Sequence, residues 1–188
     1  RSYDMQLRSY NGFNYTDKTG SWLCPYNLAL REYIVTLVGE LYDMGFDEVI
    51  LADVSQPLIE WPENTPEEQK QMLYTRTTRA SQNALYGVSS FATAIAGEFE
   101  ERNGKLLSVA SDDSTALING YNSVSGQDYR LFMKIFDRIY YETDMYAYQY
   151  MVPYSEDYVT VGNLYDRFVP VVYNYLPDNT SWVLKDTE

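Results

Sequence analysis

Histidine is absent from the 188-residue chain, and cysteine occurs once, as Cys24. Without imidazole there is no Ser-His-Asp or Cys-His nucleophile pair, no His-ligated zinc, and no general base of the commonest kind. A lone cysteine cannot form an intrachain disulfide, and the redox compartment cannot be read from it. Basic residues are also few. Lys and Arg total 14 against 27 Asp and Glu, a formal charge of −13 that repels phosphate backbones and anionic membrane surfaces. Nucleic acid is therefore not an expected partner. Apolar runs are short and interrupted, far below the roughly 20 residues that cross a bilayer, so no membrane-spanning segment is expected.

What the chain has in quantity is carboxylate and tyrosine. Acid–base chemistry falls to Asp, Glu, Tyr and Lys, with neither metal nor cofactor implied. The 20 tyrosines suit stacking on sugar faces, with the hydroxyl free to bond sugar oxygens. They serve equally well as core and surface filler. A hydrophobic content of 45% over this length supports a single domain spanning residues 1–188. The chain opens at Arg1 with neither an initiator Met nor a signal-peptide pattern, so upstream processing or truncation is expected.

Apolar periodicity gives an alternating order. Leu30, Ile34, Leu37, Val38, Leu41 and Met44 recur at helical spacing over 28–44, with Asn27 as cap and Gly45 as stop. Val49-Ile50-Leu51-Ala52 then reads as a strand buried on both faces. Leu85, Val88, Phe91, Ala92, Ile95 and Phe99 form a second helical stripe, followed by a strand over 106–110. Ser125 and Asp128, at capping-box spacing, open a third helix, followed by a strand over 138–141. A fourth strand covers 169–173 with Pro170 near its start, and a short extra one is expected within 3–7. Thr65 and Pro66 read as a further helix start. Helices alternating with buried strands predict an α/β fold with a parallel sheet.

Trp22-Leu23-Cys24-Pro25-Tyr26-Asn27, then Arg31-Glu32-Tyr33-Ile34, then Gly45-Phe46-Asp47-Glu48-Val49, resembles a bacterial barrel family classed with the glycoside hydrolases. Gly126-Gln127 and Phe136-Asp137-Arg138-Ile139 resemble its later segments. The resemblance spans roughly 10–175 and is densest in its first third. It implies a TIM-like parallel (β/α) barrel entered at about the fourth strand, so that this chain supplies the C-terminal part, about strands 4–8. A barrel of eight units takes about 250 residues, so the barrel is expected to be incomplete here. An upstream segment or a second chain would complete it. The resemblance further implies a carbohydrate partner and an extracellular or cell-surface location. The family's strand-end acid falls on Ala52, or one residue later on Asp53. Its Ser-x-Asp falls on Ser108-Val109-Ala110, with Asp112 and Asp113 just beyond.

Barrels place chemistry at the C-terminal strand ends, and glycoside hydrolysis needs two carboxyl groups flanking the scissile bond. Asp53, Asp112 and Glu142 are the candidate catalytic acids, and Asp53 with at least one of Asp112, Asp113 and Glu142 is expected to share a cleft. Trp61, Tyr26, Tyr140, Asp144 and Gln127 are candidate substrate-binding residues. The competing reading is ordinary: acids at strand ends cap helices or face water, Asp-Asp-Ser-Thr is good turn chemistry, and a Gly-Gln pair starts a helix. Two functions follow. One is a glycoside hydrolase-like domain cleaving a poly- or oligosaccharide; the other is a non-catalytic carbohydrate-binding or scaffold domain derived from such a barrel.

Overall fold

Asn27 is extended, and its side chain accepts the Leu30 N–H at 3.0 Å, which starts helix α1 (Leu28–Asp43). In this computed structural model, which describes residues 5–18, 20–59, 62–70, 72–73, 83–101, 104–143 and 167–172, α1 leads into strand β4 (Glu48–Leu51). Three short strands precede it: β1 (Arg8–Ser9), β2 (Thr16–Asp17) and β3 (Gly20–Ser21). β2 and β3 form an antiparallel pair, and β1 pairs with β5 (Met72–Leu73). Of the early strand expected within 3–7, residues 3 and 4 lie outside the described residues, and residues 5–7 carry a single bridge from Gln6 to Leu23, with β1 following. The helix start at Thr65 becomes one 3₁₀ turn, Glu67–Lys70.

Asn83 repeats the capping device for α2 (Ala84–Glu98), accepting the Tyr86 N–H at 2.7 Å. Strand β6 (Leu106–Ser111), helices α3 (Ser114–Asn119) and α4 (Tyr129–Ile135), and strands β7 (Ile139–Thr143) and β8 (Phe168–Val172) complete the described elements. The main sheet has four strands in the order β4-β6-β7-β8, every pair parallel. This is an α/β protein with helices interleaved between parallel strands.

Strand parity divides the sheet into two faces. Val49, Leu107, Val109, Ile139, Tyr141 and Phe168 are buried against Val38, Val88, Ala92, Ile95, Phe132 and Phe136 of the helices and their ends. Truncating a fully buried residue such as Phe132 to alanine would cost about 3–5 kcal/mol. The opposite face carries a polar knot. Glu48 accepts from Ser108 Oγ at 2.6 Å, from Arg138 Nη1 at 2.8 Å and from the Tyr140 hydroxyl at 3.0 Å.

Three expectations need correcting. Val49–Ala52 is not buried on both faces: Ile50 is 45% exposed, because only the Val49 and Leu51 side meets helices. Ser125 does not cap the third helix. Its hydroxyl is committed to Asp113, and Asp128 caps α4 instead. The third strand starts one residue later than expected, leaving Arg138 just before it.

Candidate functional site

β4 ends at Leu51, and the chain turns sharply. Asp53 is the one non-glycine among the described residues with positive φ, at 54°, and its carbonyl accepts the Ser55 N–H at 2.7 Å. Aspartate tolerates this left-handed conformation better than most residues because its short side chain can bond locally. The next residues cross the sheet end. Gln56 N donates to Ser125 O at 2.6 Å, and Gln127 Nε2 donates to Val54 O at 3.3 Å. The loop after β4 is thus fastened to the loop before α4.

Under this turn lies a cavity of about 290 Å³, walled by Leu30 and Ile34 of α1, Val88 and Phe91 of α2, Leu51 of β4, and Trp22. Asp53, Ser21 and Ser55 contribute its polar lining. The indole of Trp22 is held by its N–H, which donates to Asp17 Oδ2 at 2.6 Å. One of the predicted site residues, Asp53, therefore lines a concavity, on the helical side of the β4 end. It is exposed.

The remaining candidates lie elsewhere. Asp112 is exposed at the end of β6 and does not line the cavity. Asp113 is buried and caps α3: it accepts the Ala116 N–H at 2.9 Å, two bonds from Asn122 Nδ2 at 3.0 and 3.2 Å, and the Ser125 hydroxyl. Gln127 is buried; its Oε1 accepts from Ser111 Oγ at 2.5 Å, and Ser111 in turn accepts from the Tyr129 hydroxyl at 2.6 Å. Every one of these polar groups has a partner inside the protein, as buried polar groups require. Glu142 is partly buried on the sheet face away from the helices, at the register level of Val171, and Tyr140 on that face is tied to Glu48. Tyr26 is half-buried and is not among the cavity-lining residues, its hydroxyl donating to Asn83 O at 2.9 Å. Burial, then the neighbouring Tyr86, pushes the Tyr26 phenol pKa upward. Trp61 and Asp144 lie outside the described residues.

Sequence reading missed two features. Glu48 sits at the head of an apolar run, and its partners are 60 to 92 residues away, a distance that no local pattern reveals. Phe91 and Ile34 were visible as helical stripe residues, yet nothing marked them as cavity wall rather than core. No group of three His, Cys, Asp or Glu that could hold a metal ion occurs among the described residues. The chain matches no family model, no curated protein and no solved structure.

Proposed function

We propose that this chain is an arc of a TIM-like (β/α) barrel that binds carbohydrate in the cavity at the C-terminal end of β4, as a non-catalytic binding or scaffold domain. The observation that carries the reading is the cavity's make-up: a fixed indole, a phenyl ring and a single carboxylate, with Asp112, Asp113 and Glu142 absent from the lining. Rings offer the apolar faces on which sugars stack, and the carboxylate and serines accept or donate to hydroxyls. Glycosidic cleavage asks for two flanking carboxyl groups, and among the described residues this cavity offers one.

The barrel part of the proposal draws on the β4 side of the sheet. β4 stands at the end of the strand order, and the flank of α1 beside it exposes Tyr33, Leu37 and Met44. On α1 and its C-cap these residues lie opposite Arg31 and Tyr42, which reach toward α2 and β6, so the flank points past the edge of β4 that has no partner strand among the described residues. A further strand with its helix, from upstream or from a second chain, would cover both. An extracellular or cell-surface setting is part of the same proposal.

Isothermal titration calorimetry against neutral, amino and acidic oligosaccharides tests the binding reading. Binding weakened about tenfold or more in Trp22→Ala is expected; no measurable binding to any panel member rejects it. A hydrolase remains the second reading, favoured by Asp53, Asp112 and Glu142 at the C-terminal parts of three neighbouring strands. Release of reducing ends by the parent and its loss in Asp53→Asn would replace the binding proposal with the hydrolase.

A further inference from the structure

The polarity of the cavity is one-sided. Its walls are hydrocarbon and aromatic, and among the described residues its acid is Asp53 and no lysine or arginine lines it. The nearest cation in sequence to its α1 wall, Arg31, is not among the lining residues and is engaged elsewhere: Nη2 donates to Ser90 Oγ at 2.8 Å and to Pro25 O at 3.0 Å, and Nε to the same carbonyl at 3.1 Å. Among the described residues none donates to the Asp53 carboxylate, so its oxygens are available to a ligand. The net charge of −13 adds a field that draws cations and repels anionic sugars.

A carboxylate beside an indole and a phenyl ring is the combination that receives an ammonium group carried on a compact apolar body. The acid takes the charge through a charge-assisted hydrogen bond, and the ring faces attract the cation and its flanking C–H groups. A neutral sugar would use the rings, the serines and the acid as a hydroxyl acceptor, but would leave the charge of the acid unmatched. An acidic sugar would meet repulsion.

We propose that the cavity selects a hexosamine unit with a free amino group, its ammonium on Asp53 and its ring against Trp22 and Phe91. This rests on the carbohydrate-binding reading and names the sugar class. Asp53 is the specificity-determining residue.

Calorimetry with glucosamine oligomers, N-acetylglucosamine oligomers and cello-oligomers of one length, at mildly acidic pH where the amine is charged, separates the two ideas. The free-amine series is expected to bind about tenfold or more tightly than either neutral series, the scale of a hydrogen bond to a charged group. Asp53→Asn, whose amide also tolerates positive φ, is expected to erase that preference while keeping the weaker affinity shared by all three series. Equal binding of the three series by the parent overturns the ammonium assignment and leaves carbohydrate binding standing. A preference that survives in Asp53→Asn assigns it to the general charge of the chain and also overturns the inference. Binding of none of the three, with binding elsewhere in a wider sugar panel, overturns the inference alone; no sugar binding at all removes both.

Discussion

Gln127 donates its side-chain amide to the Val54 carbonyl at 3.3 Å, joining the start of α4 to the turn that follows β4 across 73 residues of chain. The same side chain accepts from Ser111, so one buried amide serves the ends of two adjacent strands. Gln127→Leu keeps the bulk and removes both bonds, leaving the Ser111 hydroxyl without its acceptor and the Val54 carbonyl without this donor. Urea denaturation should show a loss of about 1–3 kcal/mol. The cavity residue Asp53 should also lose its fixed position, so any ligand affinity falls with it.

Gly126 leaves no room for a methyl group. Its φ is +80°, and a Cβ there would lie 2.4 Å from the Ala84 carbonyl oxygen, the first residue of α2. Gly126→Ala is expected to cost about 2–4 kcal/mol, combining the left-handed backbone penalty with a backbone clash that cannot relax cheaply. Thermal unfolding measures it, and an unchanged midpoint would show that the turn and α2 separate easily. This contact gives the Gly-Gln pair a structural reason independent of any ligand.

Strain at Asp53 predicts opposite effects on stability and on binding. Asp53→Gly should relieve the positive-φ penalty and raise stability by up to about 1 kcal/mol, unless the entropy of a freer unfolded chain offsets it. Asp53→Ala should instead lose about 1 kcal/mol. Both should lose ligand affinity. A glycine variant less stable than the alanine variant would remove the backbone argument.

Cys24 should be inert in the native protein. Burial raises its thiol pKa above the ordinary value, outweighing the lowering by the backbone at Tyr26 and Asn27 and by Arg31. Below the ordinary thiol pKa both folded and unfolded chains hold the proton, and this contribution to stability is complete. As pH rises past it toward the raised native value, the unfolded chain ionises first and stability declines. Alkylation followed by mass spectrometry at mildly alkaline pH should be about tenfold or more slower in native protein than in urea. Equal rates would mean that the site opens readily.

Both long helices and the four parallel strands were legible because their apolar spacing is local. Asn27 and the stripe from Leu30 set the ends of α1 to within a residue, and the stripe from Leu85 to Phe99 lies within a residue of α2, although the cap Asn83 was not singled out. α3 was not legible: six residues are too few to show a period, and Asp113 resembles any turn aspartate until Asn122 and Ser125 fold back onto it. The same difficulty governs the site. Asp53 could be singled out by its place after a strand, but which acids share its surroundings depends on which side of the sheet each loop falls, and sequence spacing carries no sign for that. Ile50 makes the point in miniature, since a continuous apolar run cannot tell a strand wrapped on both sides from an edge strand with one side uncovered.

The bare flank of α1 has a colloidal consequence. Tyr33, Leu37 and Met44 lie open beside a parallel edge that is unpaired among the described residues, the arrangement through which sheets join one another, while the chain around them carries an excess of 13 negative charges. At low ionic strength mutual repulsion keeps such molecules apart. Added salt shortens the screening length to about 10 Å at 0.1 M and leaves the apolar attraction intact, so clustering should grow as salt rises. Assemblies held by ion pairs behave in the opposite way, and light scattering across a salt series distinguishes the two. Storage in dilute buffer then preserves single molecules, and a basic partner that neutralises the surface would bring them together as salt does.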